Sequence, residues 1–111
     1  MTGITTHVLD LTQGGPAVGV AVTLEQASAT GWTVLARATT DADGRVRDAF
    51  ASALAPGRYR ITFATGPWFA ARKVTSFHPE VNVVFDVLDG PPHLHVPLLL
   101  SPFGYSTYRG S

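Results

Sequence analysis

Histidines near both ends of the chain occupy positions suited to proton transfer. His93 and His95 are separated by one residue, so on a regular β-strand both side chains project from the same face. His7 lies in an early strand-like segment and shares a face with Leu9. Because imidazole changes its charge near neutral pH, two strands that directed His7 and His95 toward a common space would form a site for general acid and base catalysis.

The same residue types also allow other interpretations. Two histidines at this spacing and a third elsewhere resemble a metal site, because three imidazoles with one open position suit zinc-dependent hydrolysis. A histidine on a strand is also often a structural residue held by hydrogen bonds, and we interpret His78 in Phe77-His78-Pro79 in this way. Spacing alone therefore leaves both proton transfer and metal binding open.

Arg45 is a candidate for binding negative charge. It follows directly after Asp41-Ala42-Asp43-Gly44, whose residues are typical of a turn and lack the later ligands of a calcium loop. An arginine there can reach the rim of a pocket and bind a carboxylate or an enolate-like oxygen, although arginine after a turn is usually solvated. No nucleophile elbow, phosphate loop or dinucleotide fingerprint occurs in the sequence, so we expect no cofactor.

The elements that must position these residues are short strands. Segments rich in Val, Ile, Thr, Phe and Tyr are separated by clusters of Gly, Pro and Asp. We predict strands at 4–10, 18–26, 32–40, near 46, 58–64, 81–88, 93–100 and 104–109. One helix is predicted at 66–74, with Pro67 at a tolerated position in its first turn. The pattern indicates an all-β fold, an antiparallel β-sandwich of about eight strands with one short helix.

Composition limits the range of functions. The 111 residues predict a single domain over 1–111, and only 14% of them are charged, against roughly 25% in an average domain, which weakly favours buried subunit faces. Eight basic and eight acidic residues balance, so we expect no nucleic-acid partner. The sequence has no cysteine and no stretch approaching the ~20 apolar residues of a membrane span. We therefore expect an unprocessed, soluble, cytoplasmic protein with no membrane partner.

The end of the chain resembles a known family. His-Leu-His-Val-Pro-Leu-Leu-Leu-Ser-Pro-Phe-Gly-Tyr-Ser-Thr-Tyr-Arg-Gly-Ser, at 93–111, is similar to the characteristic ending of 5-hydroxyisourate hydrolases, the transthyretin-related family. The segments 7–10, 43–45 and 57–59 also fall where that family has them, so the resemblance covers essentially the whole chain. Transthyretin, a hormone carrier with the same fold, lacks the terminal Tyr-Arg-Gly-Ser. The main variation is Leu94, aromatic in many relatives, which we expect to face away from His95.

The resemblance implies a function and an assembly. It implies a transthyretin-like sandwich that hydrolyses 5-hydroxyisourate to 2-oxo-4-hydroxy-4-carboxy-5-ureidoimidazoline in urate degradation, without metal or cofactor. It implies a homotetramer, a dimer of dimers with active sites at the dimer–dimer interface around a central channel. The catalytic residues it implies are His7, Arg45, His95 and Ser111, and the substrate-binding residues are His7, Arg45, Tyr108, Arg109 and Gly110. The alternative is a transthyretin-like carrier of small aromatic ligands.

We expect these residues to have different roles in the reaction. The pair His7 and His95 would activate a water molecule that attacks the carbonyl of the six-membered ring. Arg45 would bind substrate oxygens and stabilise the charge that develops on that carbonyl. Tyr108 would shape the pocket, and the last three residues, 109–111, would close it. The sequence does not decide which histidine is the base.

Overall fold

The computed structural model describes residues 3–47, 50, 54–89 and 93–110. Within these residues the chain forms nine β-strands and one α-helix, α1 (Thr65–Ala71). The strands are β1 (Gly3–Asp10), β2 (Gly15–Pro16), β3 (Ala21–Ser28), β4 (Gly31–Thr39), β5 (Arg45–Val46), β6 (Gly57–Phe63), β7 (Val81–Val87), β8 (His93–Ser101) and β9 (Gly104–Thr107). The predicted all-β class with one short helix is confirmed, and only the two-residue strand β2 was not predicted.

The strands form two sheets. One has the order β2-β1-β8-β9, with β5 also paired to β1, and the other has the order β4-β3-β6-β7. Neighbouring strands are antiparallel, except that β1 and β8 run parallel. In that pair Thr5 lies opposite His95 and His7 lies opposite Pro97. The antiparallel sandwich is therefore correct as a class, and its one parallel pair joins the two strands that carry the candidate histidines.

Alternation along the strands builds the core between the sheets. Every second residue of β1 is buried, including Ile4 and Val8, and Ile61 and Phe63 of β6 belong to the same core cluster. Burying side chains of this size stabilises the fold by roughly 1.5–3 kcal/mol each. Because these residues fix which face of β1 is inside, the alternate residues, including His7, must lie on the outer face of the sheet.

The second predicted strand begins later than expected. The strand was predicted over 18–26, but β3 starts at Ala21 and the side chain of Val18 is 42% exposed. The intervening Gly19 has a φ of 84°, which turns the backbone out of the extended conformation. The carbonyl of Val18 instead accepts hydrogen bonds from Nε1 of Trp68 and from Arg72.

The helix α1 packs on this loop and not on the outer face of the β1–β8 sheet. Trp68 and Phe69 are buried, and Nε1 of Trp68 forms the bond to the loop. The helix ends before the predicted residue 74, because Lys73 has a φ of 59° and so adopts the left-handed conformation that ends helices. No helix in the described part of the chain has the length and apolar character needed to cross a membrane.

Candidate active site

His7 and His95 lie together on the outer face of the first sheet. The neighbours of His95 along β8, Leu94 and Val96, are buried in the core, so the imidazole projects outward and Leu94 faces away from it, as expected. The His7 and His95 ring centroids are 6.5 Å apart, and the rings are tilted by 38°. The parallel pairing of β1 with β8 thus creates the common space that the sequence suggested, on one sheet and outside the core.

Arg45 lies beside His7 because β5 pairs with β1. The two residues are directly opposite in the antiparallel register. Oδ1 of Asp41 accepts a hydrogen bond from the backbone N–H of Arg45 at 2.9 Å and so holds the end of the turn. Gly44 has a φ of 74°, and a Cβ at this position would collide with the backbone oxygen of Val8. Arg45 is therefore the first residue of β5, where it is paired with β1 and lines a hollow beside His7.

Burial and the charge of Arg45 act on both imidazoles in the same direction. Burial, and after it the positive charge of Arg45, lowers the pKa of His7 below its usual value. The pKa of His95 is lowered by burial first, and then by Arg45 and by the neighbouring His7 and His93. Both rings are therefore held neutral near neutral pH, and a neutral imidazole can accept a proton on one nitrogen and donate from the other.

Thr5 is a member of this cluster that its residue type does not reveal. Its Oγ1 lies 2.8 Å from Nδ1 of His95 and 2.9 Å from Nε2 of His93. Threonine is common in strands because of its β-branched shape, so its presence in β1 carries no functional signal. The only indication in the sequence is its place two residues before His7, which puts both side chains on one face of the strand.

The C-terminal segment lies against His95. The N–H of Gly110 donates a hydrogen bond to the carbonyl oxygen of His95 at 2.8 Å, and the two residues form an antiparallel bridge. A Cβ on Gly110 would stand 2.6 Å from Cδ2 of His95, so a side chain there would displace the ring. Tyr108 and Arg109 are exposed and line a cavity of about 410 Å³ together with His95. Ser111, which the resemblance assigns to catalysis, lies outside the described residues.

The expected site residues border two separate hollows in the single chain. His7 and Arg45 line one of about 380 Å³. His95, Tyr108 and Arg109 line the other together with Leu94 and Val96, whose side chains face the core, so this hollow reaches between the two sheets. The two hollows share no lining residue. The single chain thus brings His7, Arg45 and His95 together but places Tyr108 and Arg109 around His95 alone.

His78 lies outside this cluster. Its ring packs edge-on against Phe77 and Tyr105, with centroid distances of 4.9 and 5.1 Å, so His78 has a packing role, whereas the sequence interpretation assumed hydrogen bonds. Within residues 3–47, 50, 54–89 and 93–110, no group of three or more histidine or acidic side chains is placed to hold a metal ion.

Comparison with known proteins places the chain in a family. The model of the HIUase/Transthyretin family matches residues 4–110. The chain belongs to this family. A 5-hydroxyisourate hydrolase of Salmonella dublin is 49% identical over 97% of this chain and 80% of that protein. The structure of Klebsiella pneumoniae 5-hydroxyisourate hydrolase has a TM-score of 0.87 at 40% identity, over 98% of this chain and 99% of that one.

Transthyretins of the same family are also similar in structure. Sea bream transthyretin in complex with thyroxine has a TM-score of 0.90 at 34% identity, over 96% of this chain and 93% of that one. Membership of the HIUase/Transthyretin family confirms the resemblance and the transthyretin-like fold predicted from the sequence. Since hydrolases and carriers share this fold, the fold alone does not separate the two activities, and the separation must come from site residues.

Proposed function

We propose that this protein hydrolyses 5-hydroxyisourate to 2-oxo-4-hydroxy-4-carboxy-5-ureidoimidazoline in urate degradation. The observation that carries the proposal is the placement of His7, His95 and Arg45 on one outer sheet face. Two neutral imidazoles and a fixed cation supply the base, the acid and the anion-binding group that hydrolysis of a cyclic amide requires. The names of the relatives, at 40% and 49% identity, support the substrate.

In the proposed reaction, a water molecule held between His7 and His95 attacks the carbonyl carbon of the six-membered ring. The 6.5 Å between the ring centroids suits a water with a hydrogen bond of about 2.8 Å to each ring. One imidazole takes a proton from the water as the C–O bond forms. The amide C–N bond then breaks, and the leaving nitrogen takes a proton from an imidazole, so the proton count of the enzyme is restored.

Arg45 is the proposed electrostatic partner of this step. Its place opposite His7 puts a permanent positive charge beside the attacked carbonyl, where negative charge develops on oxygen. The exposed side chains of Tyr108 and Arg109 supply further hydrogen-bond donors at the rim of the hollow. Gly110, which has no side chain, allows the backbone to lie close to the His95 ring. Ser111 retains the catalytic assignment that the resemblance gives it, as a proposal.

Turnover in a coupled assay tests the proposed activity. Urate oxidase generates 5-hydroxyisourate in the cuvette, and ultraviolet absorbance follows its decay. We expect decay that is faster than the spontaneous reaction, in proportion to protein concentration, and unchanged after exhaustive chelation. Decay at the spontaneous rate at every protein concentration would contradict the proposal. Activity that disappears on chelation and returns with zinc would instead support the metal interpretation of the histidines.

We also propose a homotetramer, a dimer of dimers whose active sites lie at the dimer–dimer interface. The hollow lined by His7 and Arg45 is on the outer face and is open in the single chain, so a neighbouring chain over this face would enclose it. Leu9 and Leu99 lie opposite each other on the same outer face and offer apolar surface for such a contact. The end strands β7 and β9 leave sheet edges that a second copy can extend.

We expect Leu99→Arg to disrupt the proposed dimer–dimer interface. A charge on the outer face next to Leu9 would be buried without a partner in the tetramer, at a cost of several kcal/mol. Light scattering should show a smaller particle, and turnover should fall about tenfold or more as the hollow opens. Val84→Arg, exposed on the outer face of the other sheet, is the matched control. A tetramer that persists in Leu99→Arg with full activity would contradict the proposed interface.

A carrier function is the second candidate. The TM-score of 0.90 to a transthyretin in complex with thyroxine favours it. A carrier channel requires small apolar walls, whereas His7, Arg45 and His95 line this surface with titratable groups. Thermal stabilisation by thyroxine, measured beside turnover of 5-hydroxyisourate, separates the two. Strong stabilisation without turnover would favour the carrier.

The remaining expectations concern organisation and location. We infer that residues 1–111 form one domain, because described residues of both sheets contribute to a single core cluster. The cytoplasmic location stays a prediction from the sequence. Neither depends on the catalytic assignment.

A further inference from the structure

The hydroxyl of Thr5 connects two histidines of different exposure. It lies 2.8 Å from Nδ1 of His95, which is half-buried, and 2.9 Å from Nε2 of His93, which is exposed. The three residues come from neighbouring strands in register, with Thr5 opposite His95 and Gly3 opposite His93. The contact therefore forms a continuous path from solvent to Nδ1 of His95.

The chemistry of a hydroxyl restricts what this path can contain. A hydroxyl has one hydrogen to donate, so it can bond two unprotonated nitrogens only by leaving one of them unsatisfied. Both short contacts are satisfied when one imidazole nitrogen donates to Oγ1 and the other accepts from it. In that arrangement the protonation of Nδ1 on His95 and of Nε2 on His93 is tied together in opposite senses, whereas two N–H donors to Oγ1 would leave the hydroxyl proton without a partner on either ring.

We propose that Thr5 is a positioning residue that couples the tautomer of His95 to that of His93 and so links Nδ1 of His95 to the solvent. The inference rests on the proposed hydrolysis, in which His95 must exchange a proton with substrate or water at Nε2. Since the hydroxyl occupies Nδ1, Nε2 is the nitrogen left for that exchange. The sequence placed His93 and His95 on one strand face. The contact with Thr5 gives His93, the exposed one of the two, a role in proton transfer.

Protons are conserved along the path from His95 through Thr5 to His93. When Nε2 of His95 gives its proton to the leaving nitrogen, Nδ1 takes the hydroxyl proton of Thr5. The hydroxyl takes the proton on Nε2 of His93, and Nδ1 of His93 takes one from water. The sequence reverses when His95 acts as the base. No imidazolate or alkoxide remains at either end, and the net change is one proton drawn from, or returned to, solvent.

The charges around His95 favour such a link. Burial, and after it the charges of Arg45, His7 and His93, lower the pKa of His95, so a free imidazolium at this position is disfavoured. Because the His95 ring does not readily carry two protons, transfer is easier when the path through Thr5 supplies one proton to the ring as another leaves it. His93 is accessible to water, so it can exchange its proton with the solvent between turnovers.

Thr5→Val tests the link, with Thr5→Ser as its rescue. Valine keeps the shape and strand preference of threonine but removes the hydroxyl. Nitrogen-15 NMR of histidine-labelled protein, without substrate, reports the protonation of each ring nitrogen. In the wild type and in Thr5→Ser we expect one of the two nitrogens, Nδ1 of His95 and Nε2 of His93, to be protonated and the other unprotonated. In Thr5→Val we expect the two protonation states to become independent. Thr33→Val, exposed on β4, is the matched control.

Kinetics complete the test. We expect Thr5→Val to lower kcat about 10- to 100-fold, the range for losing an outer partner that orients a functional histidine, with little change in KM. His93→Gln keeps hydrogen-bonding atoms but cannot exchange a proton, so kcat should fall there too. Unchanged histidine tautomers in Thr5→Val, or full kcat in either variant, would overturn the inference. A wild type with the expected tautomers but no turnover would overturn the proposed function instead.

Discussion

His95→Asn should lower kcat/KM for 5-hydroxyisourate by about 10²- to 10⁴-fold, the usual contribution of a general acid or base. Asparagine retains a polar group of similar size but cannot transfer a proton. The hydrogen bond from Gly110 to His95 joins backbone atoms, so we expect it to remain in this variant. The coupled absorbance assay measures the loss, and light scattering verifies that the assembly is intact.

A matched histidine outside the site makes this result specific. His78→Asn changes the same residue type where the ring packs on Phe77 and Tyr105, so we expect kcat/KM close to that of the wild type. His7→Asn should resemble His95→Asn, because the two rings share the proposed water. A variant of His95 that retains wild-type turnover would remove the histidine pair from the mechanism.

Arg45→Met should reduce kcat/KM by about 10²- to 10³-fold, the effect of removing one preorganised donor from a developing oxyanion. Methionine preserves the unbranched apolar stem of the side chain. It removes the positive charge opposite His7 and leaves the strand pairing of β5 unchanged. Arg58→Met is the control, since Arg58 is exposed on the other sheet and paired with Asp86.

The same variant should change the pH dependence of the reaction. The neutral imidazoles are the active forms, so activity is lost as the pH falls through their pKa values. Arg45 lowers the pKa of both His7 and His95, so its removal raises both, and the acidic limb of kcat/KM should move to higher pH. The residual activity of Arg45→Met, followed from about pH 5 to 8, measures the shift. An acidic limb that stays in place would contradict the assigned electrostatic role.

Strand alternation made much of the fold predictable. The burial of Ile61 and Phe63, and the exposure of His7 between buried neighbours, follow directly from a period of two residues. Val18 was misplaced because periodicity ignores a single backbone angle, here the positive φ of Gly19. The parallel pairing of β1 with β8 was also out of reach, since no local pattern states which distant strand becomes a neighbour.

The site was predictable in part for the same reason. The sequence placed His93 with His95 on one strand face and His7 with Leu9 on another, and the family resemblance made His7 and His95 a catalytic pair. Their actual distance depends on the β1–β8 register, and the place of Arg45 depends on a two-residue strand too short to produce a pattern. Thr5 could not be predicted as a site residue, because its proposed role depends on a hydrogen bond between strands that the sequence around Thr5 does not reveal.

The pairing of β1 with β8 has a consequence for synthesis of the protein. Thr5 and His95 are 90 positions apart, so β1 leaves the ribosome long before its central partner exists. At about 5–20 residues per second, that strand waits several seconds with an open edge and an apolar face. Pairing across such a distance is slow, and the waiting strand is open to association with other chains. We therefore expect chaperone demand to be concentrated in the period before β8 emerges, with the histidine cluster among the last features of the nascent chain to form.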